Sequence, residues 1–201
     1  MFAINTRHTS IHRNQSGTLR QSRHHTWQGH LFIRDPEHLL PLLTPGAKVL
    51  DVGSGSGYTC AIFHHLVNPT GAEGGKVVGI DHISELVDWS IENLKRDNLG
   101  AHIESGAIKM VCGDGRLGYS PSGPYNVIHV GAASPTMPEP LIDQLAKPGR
   151  MFIPVGPDGG AQYIYQVDKD QSGNVKQEKL FGVRYVPLTE EKSQRAESVY
   201  Y

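Results

Sequence analysis

The chain has 201 residues, enough for one sizeable hydrophobic core and too few for two ordinary domains. Hydrophobic residues make up 38% and charged residues 19%, with 23 Gly and 13 Pro; this excludes a coiled coil or a wholly disordered chain and suits an α/β domain rich in turns. A net charge of −1 at pH 7 offers no broad basic field, so neither nucleic acid nor an anionic membrane is an expected partner. A monomer is expected.

Residues 1–30 are acid-free and hold five of the eleven histidines among Ser, Thr, Asn and Gln, with little that builds a core. They read as a disordered leader. Arg7, Arg13, Arg20 and Arg23 lend it a loose similarity to a mitochondrial transit peptide, but too few apolar residues stand there for an amphipathic face, so a cytoplasmic protein is expected. His24, His25 and His30 have no carboxylate or cysteine among them, and no metal site is assigned. No apolar run approaches the roughly 18 residues of a membrane span. Cys60 and Cys112, the only cysteines, stand outside any CxxC spacing and read as two buried, reduced thiols.

From Pro36 the pattern becomes orderly. "PEHLLPLL" predicts a short helix that Pro45-Gly46 ends before a strand at Lys48–Val52. Gly57 to Val67 predicts a helix buried through Ala61, Ile62, Leu66 and Val67. "KVVGID" at 76–81 predicts a second strand, and Ile83 to Arg96 an amphipathic helix with Ile83, Leu86, Val87, Ile91 and Leu94 inward. Strands follow at 107–114 and 125–131, a helix from Pro138 to Leu145, and a fifth strand at 149–155. Nearly all-apolar strands separated by helices imply a doubly wound, mostly parallel α/β sheet covered on both faces. After Gly160, two β-type stretches joined at Asp170–Asn174 predict a closing β-hairpin. The expected division is a leader at 1–30, a catalytic domain at 36–194 and a tail at 195–201.

"KVLDVGSGSGY" at 48–58 places Gly53, Gly55 and Gly57 between a strand and a helix, where backbone amides come close to a ligand. Asp81 ends the next strand, where a carboxylate can accept both hydroxyl protons of a ribose. Asp114, in "CGDGR", ends the third, where an acid can accept from the amino group of adenine. Taken singly, each acid also reads as a helix or turn cap. Together, at three successive strand ends, they predict an adenosine pocket. The loop reads GxGxG, with Tyr58 where a dinucleotide turn has its third small residue, and no P-loop Lys-Ser or Lys-Thr pair exists. That spacing disfavours an NAD-dependent dehydrogenase and suits a cofactor without phosphate, S-adenosyl-L-methionine. Asp51 either orients the turn or pairs with the cofactor's ammonium.

With "VLDVGSGSGY", "VVGIDHISELVDWSIENL", "VCGDGRLGY", "YNVIHVGAASPTMPEPLIDQLAKPGRMFIPVGPDGG" and "GVRYVPLT" in view, the chain resembles the protein-L-isoaspartate O-methyltransferases from about Leu39 to Gln194. The resemblance implies a Rossmann-like methyltransferase that repairs damaged proteins by methylating the free α-carboxylate of L-isoaspartyl residues, with isoaspartyl proteins and peptides as partners. By position it implies a cofactor site of Gly53, Ser54, Gly55, Ser56, Gly57, Asp81, His82, Asp114 and Gly115, with Thr189 and Gln194 close by. No catalytic base is expected, because the nucleophile is a carboxylate already ionised at pH 7 and the leaving group is a neutral thioether. His129, Arg116 and His82 are therefore not assigned acid–base roles, and His129, on an apolar strand, reads as a core or pocket-wall residue. The family also carries a Thr-Ile-Ser-Ala-Pro-His stretch that closes over the cofactor. Here "HHTWQGHLFIRDPEHLL" stands in its place, and Ser10, Ser16 and Ser22 match it only by residue type. An atypical or truncated N-terminus is thus expected, with a non-catalytic cofactor-binding isoform as the alternative reading.

Overall fold

The computed structural model describes residues 10–13, 19–22 and 38–188. Toward the N-terminus, β1 (Ser10–Arg13) and β2 (Leu19–Ser22) form an antiparallel pair of their own, running from Ser10 opposite Ser22 to Arg13 opposite Leu19. A 3-10 turn at Leu40–Leu42 then leads into the main sheet.

That sheet is built from β3 (Lys48–Val52), β4 (Lys76–Asp81), β5 (Ile108–Cys112), β6 (Tyr125–Val130), β7 (Leu145–Val155), β8 (Gln162–Lys169) and β9 (Val175–Val183). The spatial order is β5-β4-β3-β6-β7-β8-β9. The first five strands are parallel, and β8 and β9 each run antiparallel to their preceding neighbour, as the predicted closing hairpin requires. The chain moves outward from β3 to β4 and β5, then returns to the other side of β3 as β6. The gap between the ends of β3 and β6 is therefore the topological switch point, where sheets of this kind bind ligands.

Helices α1 (Tyr58–Val67), α2 (Ser84–Arg96), α3 (Gly100–Glu104) and α4 (Glu139–Asp143) accompany the strands. Alternation along β3 sends Leu50 and Val52 to a core shared with Ile80, Ile128 and Leu141, and Val49 to one shared with Phe63, Val127 and Phe152. All of these are buried, which is why the central strands read as apolar runs and not as alternating ones.

Several expectations are corrected. The buried residues of α1 are Cys60, Ala61, Phe63, His64 and Val67, while Ile62 and Leu66 are half-buried. The inward set thus follows Cys60, Phe63, His64 and Val67, one step round the helix from the predicted stripe, because Phe63 anchors it against β3 and β6. In α2 the buried residues are Val87, Ser90 and Leu94; Leu86 and Ile91 are half-buried and Ile83 is the extended N-cap. Ser90 occupies an inward position because its hydroxyl donates to the Val87 carbonyl at 2.6 Å. Strand β7 begins at Leu145, which pairs with Tyr125, so the helix before it is shorter than predicted. The expected pair of buried thiols is half right: Cys60 is buried, but Cys112 is exposed because β5 is an edge strand.

His64 gives this core a pH dependence. Only 2% exposed, it lies against His102 of α3 with ring centroids 4.3 Å apart, and its Nδ1 stands 3.2 Å from the amide nitrogen of Asn68. Burial first, then the nearby charges of His102 and His65, push its pKa down from 6.5 to about 4. The unfolded chain takes up this proton near 6.5 and the folded chain only near 4, so His64's contribution is complete above 6.5 and is lost as pH falls through 4. Thermal unfolding followed from pH 7.5 down to 4.5 should show a falling midpoint, with a shallower fall in His64→Gln. Equal slopes in the two proteins would count against this assignment.

Candidate cofactor site

Four strand ends meet at the switch point. As β3 ends, the Gly53 and Ser54 amides donate to the Ile80 carbonyl of β4 at 2.9 and 3.2 Å, and the Gly131 amide after β6 donates to the Val52 carbonyl at 2.8 Å. The chain then turns through Gly53, Gly55 and Gly57, all with positive φ (76°, 49° and 79°). Gly57 is the N-cap of α1, and a β-carbon there would sit 3.2 Å from Ser90 Cβ and 3.4 Å from Leu94. Only glycine meets both the backbone and the packing demand there. Glycine at Gly57 and the small Ser90 together let α1 approach α2 closely.

Asp81 ties this turn to its neighbours. Its Oδ2 accepts from the Gly55 amide at 3.0 Å and its Oδ1 from the Ile83 amide at 3.1 Å, the latter at the entrance to α2. Its own carbonyl accepts from the Gly113 amide at 2.9 Å, which draws in the third motif. Asp114 caps the 3-10 turn Gly115–Leu117 by accepting from the Arg116 amide. Gly115 is buried, and a β-carbon on it would lie 2.5 Å from Val52 Cγ1, so the turn is seated directly on the end of β3. The Gly53–Gly57 turn, Asp81 with the half-buried His82, and Asp114 with Gly115 form one contiguous constellation.

Asp51 lies beneath this constellation, 1% exposed. In register with His129 on β6, it accepts from His129 Nδ1 at 2.7 Å, while the Cys60 thiol of α1 donates to its other oxygen at 3.3 Å. Burial, with the Asp51 charge adding, pushes the Cys60 thiol well above its ordinary pKa, which keeps it a donor. Of the two roles expected for Asp51, the one with visible geometry is structural: it fixes the root of the turn to β6 and α1. His129 is buried on its strand, in keeping with the core side of the sequence reading, with Asp51 as a specific partner.

The site has a fitting place for a polar ligand group. Ser54, in the middle of the turn, is 6% exposed and its hydroxyl is a buried polar atom without a hydrogen-bond partner, a costly condition unless a ligand atom completes it. An aminoacyl cofactor lying along the glycine turn would supply such an atom, so these residues fit S-adenosyl-L-methionine. Ser56 is half-buried and its carbonyl accepts from Asn93 of α2 at 3.1 Å. The C-terminal segment borders the site, since Ala133 after β6 exchanges backbone hydrogen bonds with Val186 and Leu188 at 2.8 and 2.7 Å. Thr189 and Gln194 lie outside the described residues, as do His24, His25, His30 and Ser16.

Two features are not apparent from the sequence alone. One is the grip of Arg116 on Asp114, signalled by an acid and an arginine two residues apart at a turn. The other is the Asp51–His129 pair, signalled by a polar residue flanked on both sides by apolar ones in each of two buried strands.

The family model described as "Protein-L-isoaspartate(D-aspartate) O-methyltransferase (PCMT)" matches residues 26–193, beginning thirteen residues before Leu39, where the sequence motifs placed the start. A Triticum aestivum protein-L-isoaspartate O-methyltransferase is 43% identical over 169 residues, 84% of this chain and 71% of the relative. Protein-L-isoaspartate O-methyltransferase 2 of Arabidopsis thaliana is 46% identical over 147 residues, 73% of this chain, and the matched region spans under half (46%) of that relative's length. Among solved structures, a Plasmodium falciparum protein described as a beta-aspartate methyltransferase (PCMT), in complex with S-adenosyl-L-homocysteine, superposes with a TM-score of 0.72 at 26% identity, covering 90% of this chain and 80% of that one. Nothing in these comparisons supports the non-catalytic alternative. The chain belongs to the protein-L-isoaspartate(D-aspartate) O-methyltransferase family.

Proposed function

We propose that this chain transfers the methyl group of S-adenosyl-L-methionine to the free α-carboxylate of L-isoaspartyl residues in damaged proteins and peptides. The observation that carries the reading is the joined constellation at the switch point, in which one carboxylate, Asp81, holds the glycine turn through the Gly55 amide and, through its carbonyl, the start of the Asp114 turn. Family membership and the S-adenosyl-L-homocysteine found in the Plasmodium structure support it.

In this reading Gly53, Ser54, Gly55, Ser56 and Gly57 receive the aminoacyl end, Asp81 and His82 the ribose, and Asp114 and Gly115 the adenine. Thr189 and Gln194 stand near the cofactor. Asp51 acts from beneath by fixing the turn to β6 and α1. Bound, the cofactor supplies a methyl group on a positively charged sulfur. The protein's share is then alignment of carboxylate, methyl and sulfur, and exclusion of water. A cytoplasmic protein without nucleic-acid or membrane contacts, taken as a monomer, completes the proposal; the two free cysteines support the compartment and the net charge of −1 the absence of polyanionic partners. Among the described residues no helix is long and apolar enough to cross a membrane.

Incubation of the purified chain with methyl-labelled S-adenosyl-L-methionine and an isoaspartyl peptide should yield a base-labile methyl ester, with little from the normal aspartyl peptide. Equal labelling of the two peptides would refute the substrate assignment. Gly115→Ala tests the seat on β3, since its new β-carbon meets Val52. We expect a stability loss of about 1–3 kcal/mol from overpacking, together with weaker S-adenosyl-L-homocysteine binding by calorimetry. Wild-type affinity in that variant would place adenine elsewhere.

A further inference from the structure

Asp114 takes three protons from a single residue. The Arg116 backbone amide donates to Oδ1 at 2.9 Å. Its Nε–H is shared between Oδ1 at 3.0 Å and Oδ2 at 3.1 Å, and Nη2 donates to Oδ2 at 2.8 Å. A planar guanidinium set on a carboxylate this way fixes both its plane and its rotation, which an ammonium point charge does not. The turn carrying the two residues has little freedom to shift, because Gly115 between them is packed on Val52. A carboxylate offers about four acceptor sites; the backbone N–H and the Nε–H lie on Oδ1 and the Nη2–H on Oδ2, with the Nε–H only shared to Oδ2, so the site left is on Oδ2.

We propose that Arg116 is a specificity-determining positioning residue, which forks onto Asp114 and aims the carboxylate's remaining acceptor site at the exocyclic amino group of adenine, so that the pocket selects adenosine cofactors over their hypoxanthine counterparts. This rests on the reading of Asp114 as the adenine acceptor.

The discrimination follows from donor and acceptor chemistry. An ionised carboxylate only accepts, and hypoxanthine presents a carbonyl oxygen where adenine presents an amino group, so two acceptors would face each other. A protonated Asp114 would lose this selectivity, because its O–H donates to a carbonyl. Arg116 prevents that as well. Its side-chain hydrogen bonds, opposed by partial burial and aided by its backbone amide, its charge and that of His82, hold the Asp114 carboxyl below its ordinary pKa. Both side chains are about one-third exposed (37% and 35%), so the fork acts by geometry at the rim of the pocket and not as a buried ion pair.

The test titrates S-adenosyl-L-homocysteine and S-inosyl-L-homocysteine onto the full chain by calorimetry, for wild type, Arg116→Ala, Arg116→Lys and Asp114→Asn, with thermal midpoints recorded alongside. Wild type should prefer the adenine compound by about 100-fold or more, as sites built to hydrogen-bond one group do. Arg116→Ala should give up about tenfold of that ratio, the worth of one charge-assisted hydrogen bond, and Arg116→Lys should recover part of it. Steady-state assays should place the loss mainly on KM for S-adenosyl-L-methionine. A merely structural arginine would lower the thermal midpoint without moving the adenine-to-hypoxanthine ratio. A wild-type ratio in Arg116→Ala, or in Arg116→Lys where the alanine variant does not fold, overturns the fork while a collapsed ratio in Asp114→Asn leaves the Asp114 reading standing. An unchanged ratio in Asp114→Asn, or no binding of S-adenosyl-L-homocysteine by wild type, overturns both.

Discussion

The carboxylate of Asp81 is the point on which the site depends. Three glycines in five residues give the loop after β3 many accessible backbone conformations, and ordering them costs entropy. The two hydrogen bonds that Asp81 accepts, from Gly55 in that loop and from Ile83 at the entrance to α2, select one of them. Because Asp81 ends β4, directly beside β3, the selecting group is delivered by the sheet itself. A charge at the start of α2 also lies at the favourable end of that helix's dipole. The same residue then joins the Asp114 turn through its carbonyl, so loop, strand end and that turn are set by one side chain and one peptide unit.

A second carboxylate does the corresponding work from below. Asp51 is shielded from water, and a bare charge there would be strongly destabilising. His129 and Cys60 supply its hydrogen bonds, one from the adjacent strand and one from the helix that the glycine loop begins. Removing one partner of such a buried pair generally costs several kcal/mol, about 3–5, because the other is stranded. Asp51 and His129 are thus buried polar groups matched to each other, while Leu50, Val52, Phe63, Val127, Ile128 and Phe152 around them form an apolar core. That division is common where a site must be held rigidly by a fold that could be stable without it.

The difference between what the sequence disclosed and what it hid follows from the range of the forces involved. Strand β3 and strand β4 were legible to the residue because a short, mostly apolar, β-branched run that opens on lysine and ends at a glycine turn or an acid fits little besides a buried strand. The three strand-end motifs stood out because strand ends are local in sequence, and the structure joins them through Asp81. The inward face of α1 was not, since Phe63 and Ile62 are equally apolar and only the position of β3 and β6 decides between them. Helix α3 is five residues long, too short to show a period. The exposure of Cys112 depends on β5 lying at the sheet edge, and strand order is not written in any one strand. The Asp51–His129 contact joins residues 78 positions apart, yet it had a trace in the sequence: each is a polar residue flanked on both sides by apolar ones in a buried strand, and such residues need partners.

The character of these contacts agrees with the chemistry proposed. A carboxylate attacking a methyl group on a sulfonium moves no proton, so a site for it has no use for a poised acid or base. Its rate depends instead on how closely nucleophile, methyl and leaving sulfur are held in line, and small displacements are costly. The polar groups gathered here are of that kind. Asp81 is bound to two backbone amides, Asp51 to His129 and Cys60, and Asp114 to the fork of Arg116; each fixes an orientation, and none of these contacts sets up a proton relay toward the pocket. The exception is the Ser54 hydroxyl, buried in the turn and unmatched among the described residues. A rigid cradle with one unmatched hydrogen-bonding group is suited to gripping a ligand at a fixed position, and a fixed ligand is the main thing that methyl transfer to a carboxylate asks of a protein.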